Sequence, residues 1–332
     1  MTVLVTGGAG YIGSHMMYRL ADMGEPVVVI DNLQTGFRES VPGNIPFYRG
    51  SVADKALVGR VLREHGLNTV VHFAASTVVP DSVRDPLGYY ANNTVASRAL
   101  FETAIENGVK QFVFSSTAAV YGQLDSEVVT EAMPTVPVSP YGWSKLMTEV
   151  MLRDAAAAHD LNYVVLRYFN VAGADPAMRT GQSTVAATHL VKAAVQAALG
   201  IRPKLEIFGT DYATPDGSCV RDYIHVADVA AAHVDALLYL RSGRPSAILN
   251  CGYGRGFSVR DVIGMVKAVS GSDFPVIESP RRAGDPACVV ADSRLLRERL
   301  GWQPKHDDLR TIVAHALAWE RKLLAAQTVS AV

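Results

Sequence analysis

The sequence predicts an α/β fold: a doubly wound parallel sheet with a smaller α/β domain C-terminal to it. Three observations predict it. Short runs rich in Val, Ile and Phe alternate with longer helical patterns over the first half of the chain, and strands alternating with helices build parallel sheets covered on both faces. The runs are nearly continuous in apolar residues, as strands buried on both faces are. The first run passes through a glycine cluster straight into the first helical pattern, which makes a tight strand-to-helix turn.

Taken in order, residues 3–6, 27–31, 47–49, 69–73, 111–115 and 164–167 are expected as buried strands. Residues 11–23, 54–65, 86–107 and 141–159 are expected as the helices between them. The pattern changes after about residue 170. Residues 172–183 are rich in Gly, Pro, Asp and Ser and predict a long loop. A helix over 185–199, a strand over 205–208 and a second loop over 211–218 follow. Then come a helix over 225–240, a strand over 247–251, and helices over 259–269, 293–300 and 309–325. The 332 residues suffice for two domains: one over 1–170 and a smaller one over 171–332, with segments near 225–250 free to return to the first sheet. No internal repeat or low-complexity tract interrupts them.

Composition narrows the partners. Half of the chain is hydrophobic (49%) and 19% is charged, ordinary for a globular protein. A formal net charge of −1 argues against nucleic acid or a membrane surface as partner, so an anionic ligand would be held by a few local arginines. No apolar run approaches the ~20 residues of a membrane helix. The first residues carry no basic leader, so a signal peptide is not expected. Cys219, Cys251 and Cys288 are odd in number and far apart, which fits a reducing cytoplasm better than a disulfide framework. No Cys/His cluster has metal-ligand spacing, so no metal is expected.

The glycine cluster carries the first chemistry. Thr6-Gly7-Gly8-Ala9-Gly10-Tyr11-Ile12-Gly13 lies between the first strand and the first helix. Gly7 and Gly10 let the backbone turn tightly and approach a pyrophosphate. Gly13 lets the helix pack close, and the helix N-terminus offers free N–H groups to phosphate. Asp31 ends the second strand 18 residues past Gly13. A carboxylate there accepts hydrogen bonds from ribose hydroxyls and repels a 2′-phosphate, so NAD is expected over NADP.

The second signal is Ser139-Pro140-Tyr141-Gly142-Trp143-Ser144-Lys145 at the start of a predicted helix. Residues four apart share a helix face, so Tyr141 and Lys145 can meet. A tyrosine with a pKa near ~10 is a poor base unless a neighbouring cation and a bound nicotinamide stabilise its phenolate. Upstream, Phe112-Val113-Phe114-Ser115-Ser116-Thr117 is a buried strand ending in three hydroxyls, at the end where such sheets bind ligands.

With these residues in view, the chain resembles the extended short-chain dehydrogenase/reductase family and, within it, the UDP-glucose 4-epimerases. The similarity runs over nearly the whole length. Besides the glycine turn it includes Asp31-Asn32-Leu33, His72-Phe73-Ala74-Ala75, Tyr89-Tyr90 with Asn92-Asn93, and Ser115 through Gly122. Further on it includes Tyr141 with Lys145, Arg167-Tyr168-Phe169-Asn170, Val220 through Val226, and Pro280 through Asp285. The resemblance implies a Rossmann-type sheet, NAD as cofactor and a UDP-sugar as substrate. Tyr141 would be the acid/base, Lys145 would tune it and bind the nicotinamide ribose, and Thr117 would hydrogen-bond the reacting hydroxyl. The NAD site would comprise Gly7, Gly10, Tyr11, Ile12, Gly13, Asp31, Asn32, Ser51, Val52, Phe73, Ala74, Ala75, Asn92 and Phe169 beside Tyr141 and Lys145. The sugar nucleotide would meet Asn170, His189, Leu190, Leu205, Phe208, Arg221, Tyr223, Arg282, Asp285 and Cys288. A guanidinium suits a diphosphate. A homodimer through the helices over 86–107 and 141–159 is implied as well.

Four positions depart from many relatives. Ser51 replaces an Asp near the adenine, and Thr77 replaces a lysine near the cofactor phosphates. His189 stands where some have Asn against the substrate phosphate. Cys288 stands where some have a tyrosine gating the sugar pocket, and a small residue there is associated with tolerance of N-acetylated sugars. A 4,6-dehydratase would need an Asp-Glu pair right after Thr117; the chain has Ala118 and Ala119. A 4-epimerase of UDP-glucuronate or a UDP-pentose shares the chemistry and differs in the pocket around C5. A non-catalytic NAD-binding regulator would usually have lost the tyrosine or the lysine.

Overall fold

The computed structural model describes residues 2–123, 128–184, 187–282 and 284–330. The first part of the chain forms β1 (Val3–Thr6), α1 (Tyr11–Asp22), β2 (Val27–Asp31), β3 (Phe47–Arg49), α2 (Lys55–Glu64), β4 (Thr69–His72), α3 (Val79–Arg84), α4 (Pro86–Tyr89), α5 (Ala96–Glu106) and β5 (Gln111–Thr117). There follow β6 (Val128–Val129), α6 (Pro140–Ala158), β7 (Asn162–Tyr168), β8 (Asn170–Ala172), α7 (Leu190–Ala198) and β9 (Leu205–Phe208). The remainder is β10 (Val220–His225), α8 (Val226–Arg241), β11 (Ala247–Cys251), β12 (Gly256–Ser258), α9 (Val259–Ser270), β13 (Val276–Ser279), β14 (Cys288–Ala291), α10 (Arg294–Leu300) and α11 (Leu309–Ser330).

The central sheet has the order β11-β7-β5-β4-β1-β2-β3, and every pairing in it is parallel. The fold is therefore α/β and Rossmann-type. Successive side chains of a strand point to opposite faces, and the cores divide accordingly. Leu4, Val28, Ile30, Val70, Phe112, Phe114 and Val165 pack with α2, α5 and α6 residues such as Val61, Leu100 and Leu152. Val3, Val5, Val29, Val71, Val113 and Leu166 pack with Met16 and Leu20 of α1 and Val229 and Ala236 of α8. That second cluster runs on into Val191, Val195, Val266 and Ile312, so α7, α9 and α11 share a core with the sheet.

The later segments build smaller sheets. β10 pairs in parallel with β8 and β14 and antiparallel with β12, and β14 pairs in parallel with β6. β9 and β13 form a separate parallel pair. Of these, only β9 is legible as a strand in the sequence. The others are two to six residues long and are stabilised by distant partners more than by their own pattern. Residues 247–251 pair with β7 at the edge of the large sheet. The helix expected over 185–199 runs over Leu190–Ala198; Val185 and Ala186 lie outside the described residues. The helix expected over 86–107 is interrupted by a π-helical turn over Tyr90–Val95, a feature that often marks functional sites.

Candidate active site

The crevice lies where the strand order diverges, between the C-terminal ends of β1 and β4. Gly7 has φ +71°, and a Cβ there would lie 2.6 Å from the Ala74 backbone nitrogen. Glycine is required twice over, by conformation and by the close approach of β4. A Cβ on Gly13 would strike the Gly7 carbonyl oxygen, so the contact forces glycine there too. Gly10 is different. Its φ is −79°, and a Cβ would meet only the Gly7 oxygen, at 3.2 Å. The protein does not demand glycine at this position, whereas a pyrophosphate against bare backbone would. Helix α1 starts at Tyr11 without a side-chain cap, leaving first-turn N–H groups to a phosphate.

The remaining cofactor candidates are placed as follows. Asp31 Oδ2 accepts from the Ala9 N–H at 3.0 Å and Oδ1 from the Leu33 N–H at 2.8 Å. Burial pushes this carboxyl above the ordinary range, and the two N–H donors pull back. Each oxygen keeps acceptor capacity for a ribose hydroxyl. Asn32 accepts from Gln34 N at 2.9 Å. Ser51 follows β3, next to Gly50, whose N–H donates to the Asp31 carbonyl; Val52 turns into the core. The Phe73 N–H donates to Thr6 O at 2.9 Å, and its ring packs 4.7 Å from that of His233. Ala74 and Ala75 are half-buried and Thr77 is exposed. In the π turn, Asn92 donates to Ser76 Oγ at 2.9 Å, and Asn93 ties Ser76 to Ser144 of α6. Tyr11 donates to Gly173 O at 2.7 Å, joining α1 to the segment after β8. The half-buried Ile12 packs on the core. Phe169 is buried in a small cluster with Val120, Tyr121, Val129 and Ala291.

The reactive pair sits one strand further along. Ser139 caps α6, accepting from Gly142 N at 3.2 Å, with Pro140 in the first turn. The helix therefore begins just where Tyr141, Lys145 and Glu149 stack on one face, all buried. The Tyr141 hydroxyl is hydrogen-bonded by Thr117, the last residue of β5. Burial pushes the phenol up to about 12, and the Thr117 hydrogen bond lowers it by less. Burial brings Lys145 down to about 7 against the upward pull of Glu149. Lys145 Nζ donates to Ser115 O at 2.8 Å.

Behind the pair lies a network that the sequence reading missed. Arg167 of β7 meets Glu149 through Nη2–Oε2 at 2.5 Å and Nε–Oε1 at 3.0 Å, and Ser116 also donates to Glu149. Arg167 reaches the Tyr121 hydroxyl at 3.0 Å, which donates to Asn250 at 2.7 Å. A charge inside Val-Val-Leu-Arg-Tyr and an acid four residues past Lys145 were the available signals. A buried charge needs a partner.

The substrate candidates form two groups. Asn170 of β8 is the register partner of Tyr223 of β10. These two, with His189 and Leu190 at the start of α7 and Gln182, line one cleft. In the second group Arg221 lies 3.9 Å from Asp285, and the Arg282 guanidinium covers the Phe208 ring at 3.6 Å. Cys288 is the register partner of Val220. Leu205 is buried in the core, while Phe208 at the other end of β9 reaches Arg282. Ala283 lies outside the described residues. Ala118 and Ala119 follow Thr117 in a short 3-10 turn, so the two positions after the threonine hold no carboxylate.

A glycine turn in the central crevice and a buried Thr–Tyr–Lys set at the neighbouring strand end define a nucleotide-dependent enzyme acting on a hydroxyl. The chain belongs to the NAD dependent epimerase/dehydratase family, whose model matches residues 3–252. It is 58% identical over 321 residues to a UDP-glucose 4-epimerase from Azospirillum brasilense, covering 97% of this chain and 92% of the relative. A solved UDP-glucose-4-epimerase from Stenotrophomonas maltophila, with bound NAD and formylated UDP-arabinopyranose, superposes with a TM-score of 0.94 at 40% identity. The match covers 98% of this chain and 99% of that one. The Brucella ovis UDP-glucose 4-epimerase in complex with NAD gives 0.93 at 41%, covering 96% and 97%.

Proposed function

We propose that this chain interconverts UDP-galactose and UDP-glucose by inverting C4 of the sugar, with NAD as cofactor. The observation that carries the reading is the buried Thr117–Tyr141–Lys145 set, followed by alanines where elimination would need carboxylates. NAD held along the glycine turn, with Gly7, Gly10 and Asp31 against it, would supply reversible hydride chemistry at C4, so that inversion would leave no net redox change. The chain supplies the rest. Tyr141 takes the C4 hydroxyl proton and gives it back, with Thr117 bridging hydroxyl and phenol. A phenol held near 12 is scarcely ionised at neutral pH, so the protonated Lys145 has to stabilise the phenolate, and a bound nicotinamide would add positive charge beside it. Arg221, Arg282, Asn170 and His189 anchor the UDP part, leaving the sugar free to turn.

Cys288, small and half-buried on β14, supports acceptance of N-acetylated UDP-hexosamines as well. A panel of UDP-galactose, UDP-N-acetylgalactosamine, UDP-galacturonate and UDP-arabinose, assayed for C4 inversion, tests the assignment. UDP-galactose should be the preferred substrate. Preference for the uronate or pentose would move the enzyme to another sugar, and inversion of none would leave an NAD-binding regulator.

The assembly is a homodimer in this reading. Val83, Leu87, Val95, Trp143, Met147 and Val150 are exposed on α3 to α6, a patch that a second copy would cover. The expected outcome for Leu87→Lys is a monomer by sedimentation, where the parent sediments as a dimer; a parent monomer would refute it. Residues 1–170, with segments near 225–250 returning to the large sheet, form the NAD-binding domain in this reading, and residues 171–332 the UDP-sugar-binding one. Among the described residues no helix is long and apolar enough to cross a membrane. The sparse, odd cysteine set supports a cytoplasmic enzyme.

A further inference from the structure

The cleft lined by Asn170, His189, Leu190 and Tyr223 holds a buried cation that the proposed chemistry does not use. Lys192 of α7 is 5% exposed. Its Nζ donates to Glu320 Oε2 of α11 and to Gln182 O, both at 2.6 Å. Glu320 also accepts from Gln196 at 2.8 Å. The residue before it, Trp319, lies flat under Gly181, where a Cβ would strike the indole. Helix α11 thus grips the segment 181–182 twice, from the far end of the chain. The Gln182 amide nitrogen in turn lies 2.8 Å from His189 Nδ1. A carboxamide nitrogen only donates, so Nδ1 accepts and the ring proton belongs on Nε2. His189 is exposed to the cleft. The surrounding walls, and then the Lys192 charge, lower its pKa.

We infer that Lys192, Glu320 and Gln182 are positioning residues that hold His189 as a neutral imidazole with its proton on Nε2, a donor to the diphosphate of the UDP-sugar. The inference rests on the UDP-sugar reading above and deepens it. A buried ion pair is by itself weak evidence for anything beyond holding the fold, so the test must separate the two roles.

The experiment is a double-mutant cycle on the NAD-loaded enzyme, reading KM and kcat for UDP-galactose and, without turnover, the Kd of UDP by calorimetry. Gln182→Met and the paired change Lys192→Met with Glu320→Gln are each made alone and in a His189→Leu background. Loss of one oriented hydrogen bond to a charged group predicts a rise in KM and in UDP Kd of about tenfold, with kcat within about twofold. In the His189→Leu background the same changes should move both constants by less than about twofold, because the residue they position is gone. Equal effects in both backgrounds, or a loss of kcat at unchanged KM, would overturn the inference. So would unchanged UDP affinity in the Gln182→Met enzyme. Failure of the parent to invert C4 while UDP Kd follows the cycle would count against the substrate assignment alone.

Discussion

The two halves of this molecule present their candidate site residues by different means. In the sheet the candidate site is backbone: the left-handed Gly7, the Gly13 contact and the open N-terminus of α1. In the second half it is built from side chains brought together over long distances. Arg221 meets Asp285 across 64 positions and Lys192 meets Glu320 across 128. A site made of backbone tolerates no added carbon. A site made of side chains tolerates repacking provided each charge keeps a partner. That difference orders the expected effects.

The largest effect belongs to the reactive pair on α6. Tyr141→Phe should lower kcat by about a thousandfold or more and leave UDP binding intact by calorimetry; near-normal turnover would sink the assignment. Next comes Arg167→Met, which strands Glu149, itself 3% exposed. A loss of about 3–5 kcal/mol is expected in urea unfolding, and a change below about 1 kcal/mol would show the pair to be dispensable.

The glycine turn gives a sharper contrast. Gly7→Ala should lower the thermal midpoint even in NAD-free protein, since the clash is with the Phe73–Ala74 backbone just after β4. Gly10→Ala should leave NAD-free protein unchanged and lower NAD retention only. Equal destabilisation by both would mean that the turn serves the fold alone.

The smallest effect is a matter of sign. Lys145 falls to about 7 from an ordinary 10.5, so the folded state holds that proton less tightly than the unfolded chain. The buried ammonium burdens folding fully below pH 7, and the burden fades between 7 and 10.5. Lys145→Met should therefore abolish turnover yet raise Tm by about 2–4 °C at pH 6–7. The gain over the parent should shrink toward pH 10; a lower Tm at pH 7 would contradict the burial argument.

The same contrast explains what was legible in the sequence. The strands of the large sheet declare themselves because runs such as Val27 to Asp31 are buried on both faces, and Gly7, Asp31 and Thr117 sit at or next to their strand ends. Tyr141 and Lys145 are legible by a different signal, their four-residue spacing at the start of a helix. Strand β10 carries Arg221 on Val-Arg-Asp-Tyr-Ile-His, where charged residues break the apolar run, and β14 is a four-residue Cys-Val-Val-Ala segment between loops. Their burial comes from each other, so the sugar side could be assigned only by resemblance. Gln182, Lys192 and Glu320 left no local signal, because the partner of Lys192 lies on another helix at the far end of the chain. Arg167 stands in a motif of the resemblance, but its pairing with Glu149 rests on a contact 18 positions apart that neither residue's local pattern signals.

The central claim is that Tyr141 and NAD oxidise and re-reduce C4 of a UDP-hexose in this one crevice. The most direct measurement mixes NAD-loaded enzyme with UDP-galactose and follows absorbance of the reduced nicotinamide while UDP-glucose accumulates. A transient signal that decays as the two sugars reach equilibrium, with no added cofactor consumed, is the predicted result. C4 inversion with no reduced nicotinamide at any time, or a stoichiometric and permanent reduction without UDP-glucose, would contradict it.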